Sequence, residues 1–96
     1  MEIVWAKSAL NALLTIYEYI YERSPKNAYD LLYEVAQKVD ELPGLPDRYK
    51  PDRYKRNNTG AYRAFEHKGI RVSYKVTINR IEIVRVRHTR RKPGLY

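Results

Sequence analysis

From Ala61 onward the chain alternates apolar and polar residues in three short runs, and this alternation limits the possible folds more than any other feature. The runs are Ala61 to His67, Ile70 to Ile78, and a third that begins at Arg80-Ile81-Glu82-Ile83. A period of two is that of a half-buried strand, and Lys68-Gly69 and Asn79-Arg80 suit tight turns, so an antiparallel meander is predicted. In its middle strand Ile70, Val72, Tyr74, Val76 and Ile78 are expected on one side, with Arg71, Ser73, Lys75 and Thr77 on the other. The apolar set needs cover, which leaves Arg71 and Lys75 on an open face. In the third run Ile81 and Ile83 lie in one phase and Val84 and Val86 in the other. That pattern fits either a strand covered on both sides or one that carries a bulge.

The cover comes from the first half. Glu2-Ile3-Val4-Trp5 reads as a short edge strand. The period then changes, and Leu10, Leu13, Leu14, Tyr17, Ile20 and Tyr21 form a helical stripe. Ser24-Pro25 ends that helix and begins another, since serine suits the N-cap and proline the first helical position. A second stripe runs through Ala28, Leu31, Leu32, Val35, Val39 and Leu42, and Pro43-Gly44 stops it. Two helices joined this closely form an antiparallel hairpin. The tyrosines at helical spacing (Tyr17, Tyr19, Tyr21, Tyr29, Tyr33) read as core-edge residues with wet hydroxyls rather than as stacking platforms. The predicted fold is α+β: a short N-terminal strand and a helical hairpin packed on one face of a twisted antiparallel sheet of about four strands. With 96 residues, a single domain spanning 1–96 is expected.

Between the halves, Pro46-Asp47-Arg48-Tyr49-Lys50 is repeated at once as Pro51-Asp52-Arg53-Tyr54-Lys55. Each unit has a turn-starting proline and an aspartate suited to bonding its own backbone. The cations and rings fit nucleic acid, and the two aspartates fit equally an ordinary solvated loop.

Charge divides along the same line. Residues 1–45 hold four basic and seven acidic side chains, a balance of −3, whereas residues 46–96 hold fifteen and four, a balance of +11. An acidic scaffold joined to a basic surface points to a polyanionic partner. Arg63, Lys75, Arg85, Arg87, Arg91 and Lys92, with Arg48, Lys50, Arg53 and Lys55 from the loop, are the candidate RNA- or phosphate-binding residues. There is no cysteine and only two histidines, so neither a metal site nor a cofactor is expected. The first residues have neither the apolar length of a membrane span nor the pattern of a secretory signal, which predicts a soluble cytoplasmic protein with no membrane partner.

The order short strand, helical hairpin, basic loop, three-stranded meander resembles the RelE/ParE superfamily of bacterial type II toxins. The echoes are Ala61-Tyr62-Arg63-Ala64-Phe65, Gly69-Ile70-Arg71-Val72-Ser73-Tyr74 and Ile83-Val84-Arg85-Val86-Arg87-His88-Thr89-Arg90. RelE-type members are ribosome-dependent nucleases that cut mRNA, ParE-type members inhibit DNA gyrase, and a co-expressed antitoxin neutralises both. The resemblance therefore implies as partners an acidic antitoxin that folds on binding, with the ribosome and mRNA, or alternatively gyrase, as target. It also implies a catalytic set. Arg71 matches the mid-sheet arginine, Arg90 the arginine set against the scissile phosphate, Tyr96 a C-terminal tyrosine and His88 a histidine at the end of the last strand. The lysine pair of some RelE nucleases falls at Tyr62 and Ala64, with Arg63, His67 and Lys68 as the nearest substitutes.

Such residues suit metal-free RNA cleavage, in which the 2′-OH attacks the adjacent phosphorus and the 5′ oxygen leaves. Guanidinium groups would hold the phosphate oxygens and His88 would move a proton near neutral pH. Tyr96 would stack on a base, or act as acid or base if nearby arginines lowered its pKa. The expectation is a toxin that acts as an mRNA endoribonuclease and blocks translation. The alternatives are a ParE-type gyrase inhibitor and a plain basic nucleic-acid-binding module.

Overall fold

The computed structural model describes residues 1–91 and 94–96. Lys92, one of the expected phosphate-binding residues, lies outside the described residues. The order of elements is β1 (Glu2–Trp5), α1 (Lys7–Tyr21), α2 (Pro25–Glu41), a 3-10 turn (Leu42–Gly44), β2 (Tyr62–His67), β3 (Ile70–Val76) and β4 (Arg80–His88). The four strands form one sheet in the order β1-β4-β3-β2, with the helical hairpin on one face.

The meander is as expected. Its first turn places Lys68 and Gly69 at φ 47° and 84°, the pair of positive φ values that a type I′ hairpin requires. The purely antiparallel expectation is corrected. β1 runs parallel to β4, from Glu2 opposite Arg80 to Trp5 opposite Ile83. Alternation marks a strand without giving its direction, and the whole helical hairpin and meander lie between these two, so the chain is free to return either way.

The two phases of the last strand are resolved by a bulge. Ser73 pairs with Arg85, but Tyr74 pairs with Ile83, so Val84 has no opposite residue. The extra residue resets the alternation, which brings Ile81, Ile83 and Val86 all to the core face. Ile78, expected inward, is 98% exposed. β3 has ended at Val76, and the turn closes with the Thr77 amide donating to the Arg80 carbonyl at 2.9 Å.

The second helix follows its stripe: Ala28, Leu31, Val35 and Val39 are buried, and the Ser24 hydroxyl caps it by accepting from the Asn27 amide at 3.2 Å. The first helix is rotated from its expected face. Ala9 and Leu13 are buried, and Ala12, Ile16 and Ile20 pack beside them. Leu10 and Leu14 instead remain 41% exposed. This helix is apolar around most of its circumference, so periodicity selects no single face. The small Ala9 and Ala12 allow the closest approach to the sheet and decide the matter.

The core joins both helices to the inner face of the sheet through Leu13, Val35, Val39, Phe65, Val72, Tyr74, Ile81 and Ile83. Tyr74 is fully buried, and its hydroxyl donates to the Pro46 carbonyl at 3.1 Å, so its one polar group is satisfied. Glu34 on α2 pairs with His67 at 2.6 Å and Lys68 at 2.8 Å, tying that helix to the first hairpin turn.

Candidate functional site

The outer face of the sheet holds the polar chemistry. In register, Glu66 lies opposite Arg71 and Arg71 opposite Arg87; Ala64 lies opposite Ser73 and Ser73 opposite Arg85. This face was expected to be open around Arg71, and there the expectation is corrected. The loop that follows the 3-10 turn folds back along β2, with Ala64 N–H donating to Lys50 O at 3.2 Å and Asp52 N–H donating to Tyr62 O at 2.8 Å. Asn58 pins it. Its amide nitrogen donates to the Asp52 and Tyr62 carbonyls at 3.2 and 2.8 Å, and its oxygen accepts from the Gly60 and Tyr62 amides.

This path brings Asp52 under the loop, where it is 2% exposed. It accepts from Arg71 Nη2 at 2.9 Å, from the Tyr96 hydroxyl at 2.5 Å and from the Tyr54 amide at 3.0 Å. Arg71, 9% exposed, also donates through Nη1 to Glu66 at 2.8 Å, while its Nε is buried without a partner. Burial alone would raise the Asp52 carboxyl, but hydrogen bonds from Tyr96, Arg71, Ser73 and the Tyr54 amide bring it down to about 2. Burial would lower Arg71, and the two carboxylates more than offset it and raise it.

Tyr96 is held on all sides. Its amide donates to Tyr54 O at 3.0 Å, its carbonyl oxygen accepts from Arg56 N–H at 2.7 Å, and the Arg85 guanidinium lies over its ring at 4.7 Å. Burial and the Asp52 hydrogen bond raise the Tyr96 hydroxyl above its ordinary value, the reverse of what a proton-transfer role needs.

Of the four expected catalytic residues, Arg71 and Tyr96 meet at Asp52, and the other two lie elsewhere. His88 is paired with Ile70, a core-face residue, so it faces the side opposite Arg71. Its Nδ1 accepts from the Arg90 amide at 3.1 Å. With Arg90 and Arg91 it lines a groove of about 690 Å³ against Ile16, Tyr19 and Ile20 of α1.

The expected phosphate binders also separate into groups. Lys75, Arg85 and Arg87 share the outer face with Arg53 and Lys55 from the loop. Arg63 donates to Tyr49 O at 2.7 Å, and Arg48 pairs with Glu41 at 3.3 Å. Arg48, Lys50 and Arg53 line a second cavity of about 530 Å³ at the edge of β2. The substitutes for the missing lysine pair are all engaged: Arg63 as above, His67 and Lys68 by Glu34.

Asp52, Glu66, Tyr54 and Asn58 were not singled out as site residues. For Asp52 no sequence signal was present: Asp47 occupies the same place in an identical pentapeptide, yet its side chain is 84% exposed and that of Asp52 fully buried. Glu66 had a signal, because it is the one acid that alternation places outward on β2, next to an arginine strand.

Among the described residues no cluster of three or more histidine or acidic side chains is placed to hold a metal ion, and no helix is long and apolar enough to cross a membrane.

A helical hairpin on a four-stranded mixed sheet, with a basic outer face, is a two-layer α+β architecture. A family model described as the ParE toxin of the type II toxin-antitoxin system, parDE, matches residues 3–93, and the chain belongs to that family. A solved structure titled "Chromosomal ParDE TA system from P. aeruginosa" matches with a TM-score of 0.71 and 18% identity, over 92% of this chain and 95% of that one. At that identity the likeness establishes the fold. Comparison with curated protein sequences returned no significant match.

Proposed function

We propose that this chain is a cytoplasmic toxin that acts by binding DNA gyrase, rather than by cutting mRNA, and that an acidic antitoxin folds on it to neutralise it. The observation that carries this reading is the state of Arg71. Its guanidinium is held by Asp52 and Glu66 beneath a loop, and His88 lies on the opposite face of the sheet. A nuclease of the expected kind needs a free cation beside a proton-transfer group at one phosphate, and this arrangement argues against one. Family membership favours the same side, since ParE-type toxins resemble the nucleases in fold and differ in target. In this reading residues 1–96 work as one non-enzymatic domain.

The test pairs two assays on one preparation. Purified protein is expected to inhibit supercoiling by gyrase, and its expression to induce an SOS reporter. Ribosome-dependent cleavage of a reporter mRNA, abolished in Arg90→Ala, together with unaffected supercoiling, would replace this reading with the nuclease.

A further inference from the structure

We propose that the outer face of the sheet docks the phosphate backbone of double-stranded DNA. The choice of DNA over another double helix rests on the gyrase reading; the surface itself does not. The carboxylates on this face are already paired with other cations. Asp52 and Glu66 share Arg71, and Glu82 takes Arg80 at 2.7 Å. Among the described residues no carboxylate lies within ion-pairing distance of Arg53, Lys75, Arg85 or Arg87.

These four cations are held in place by aromatic rings rather than by acids. The guanidinium groups of Arg53, Arg71 and Arg87 each lie 4.9 Å from the centre of the Tyr54 ring. Arg85 lies over Tyr96 and also donates to Gly94 O at 2.7 Å. Lys75 stands over Tyr62 at 5.6 Å, and Lys55 is shared between Tyr62 and Tyr96. A ring fixes a cation without neutralising it, so the charge remains available and little side-chain entropy is lost on binding.

The same contacts select the form of nucleic acid. Proteins that take single strands stack bases on free aromatic faces. Here the faces of Tyr54, Tyr62 and Tyr96 are engaged by the protein's own cations, so unpaired bases find no platform. What remains is a rigid array of positive charge at the level of a sheet surface, which suits phosphates of a duplex whose bases stay stacked.

The experiment is fluorescence anisotropy with a labelled duplex of about 20 base pairs, a matching single strand, and purified protein without gyrase. Duplex binding is expected at about 50 mM salt, with log K falling against log salt at a slope of about −3.6 for four phosphate contacts. Arg85→Gln/Arg87→Gln is expected to weaken binding at least tenfold and to reduce the slope by about 1.8. Arg53→Gln/Lys75→Gln provides a second pair should the first unfold. Lys26→Gln/Lys38→Gln, which removes the same charge from the far helix, is expected to leave binding near wild type. No duplex binding, equal loss in the helix variant, or tighter binding of the single strand would each overturn the proposal. Because gyrase is absent, failure here leaves the supercoiling result untouched, and the converse holds too.

Discussion

Tyr96 and Asp52, 44 residues apart in sequence, share a hydrogen bond of 2.5 Å that closes the last residue of the chain over a buried carboxylate. Asp52 is at once the acceptor for Tyr96 and the counter-ion of Arg71, so removing either partner has a different cost. Tyr96→Phe deletes one donor and leaves Asp52 with Arg71 and the Tyr54 amide; a loss of about 1–3 kcal/mol is expected. Asp52→Ala strands a buried guanidinium with only Glu66 to face it, and about 3–5 kcal/mol is expected. Urea denaturation of both variants checks the order. Equal losses would mean that the Asp52–Arg71 pair adds nothing beyond the Tyr96 hydrogen bond, and no loss in Tyr96→Phe would mean that the hydroxyl contributes nothing.

The same cluster sets how stability depends on pH. The Asp52 carboxyl is held at about 2 against an ordinary 3.8. Its contribution is therefore complete above 3.8 and fades as pH falls toward 2, by an amount on the order of 2 kcal/mol. Tyr96 and Tyr74 move the other way. Burial raises both from 10.0, Tyr74 to about 12, so their contributions are whole below 10 and are lost as pH rises through the folded values. Unfolding free energy is expected to be flat between about pH 5 and 9 and to fall on either side. In Tyr96→Phe the alkaline fall should become shallower. An unchanged alkaline arm in that variant would remove Tyr96 from the explanation.

At the first hairpin turn Gly69 has φ 84°, and a Cβ built there meets the His88 ring at 3.7 Å, an ordinary contact. The cost of Gly69→Ala is therefore a backbone cost. A left-handed alanine is expected to lower stability by about 1–2 kcal/mol without disturbing packing, which thermal melts and an unchanged near-ultraviolet spectrum would show. A neutral result would mean that the turn relaxes to another type.

Several of these features are legible in the sequence, and the reasons that the others are not are specific. Ser24-Pro25 marked the helix boundary because capping is a local chemistry that one residue carries. The meander was readable because strand alternation is local too. The direction of β1 was not, because it depends on where the chain arrives after the whole helical hairpin. The facing of α1 was hidden by its surplus of apolar residues. At the site, the density of outward arginines was visible, and the sequestering of Arg71 was not. That depends on which of two identical pentapeptides reaches the sheet, and Asp47 and Asp52 have the same neighbours in sequence. A carboxylate's burial is a tertiary fact here, and so is the loss of Arg71 as a free cation.

The bulge supplies the last expectation. Since Val84 has no opposite residue, deleting it leaves Ile83 facing inward, Arg85 outward, Val86 inward and Arg87 outward, as they are now. The strand would lose a kink and keep every facing, so the Val84 deletion is expected to fold cooperatively with a modest loss of stability. Deleting Val86 keeps the same length but brings Arg87 to the position of a core residue, beneath α1. Burying an unpaired guanidinium there costs several kcal/mol, a large share of what a chain of this size has in reserve. That variant is expected to lose its cooperative transition in urea. The two deletions differ by two positions in one strand and by nothing in length, so the contrast isolates register. If both unfold, Val84 is packed in a way that its pairing does not reveal; if both fold, the strand slips freely and the outward placement of Arg85 and Arg87 is not fixed by the fold.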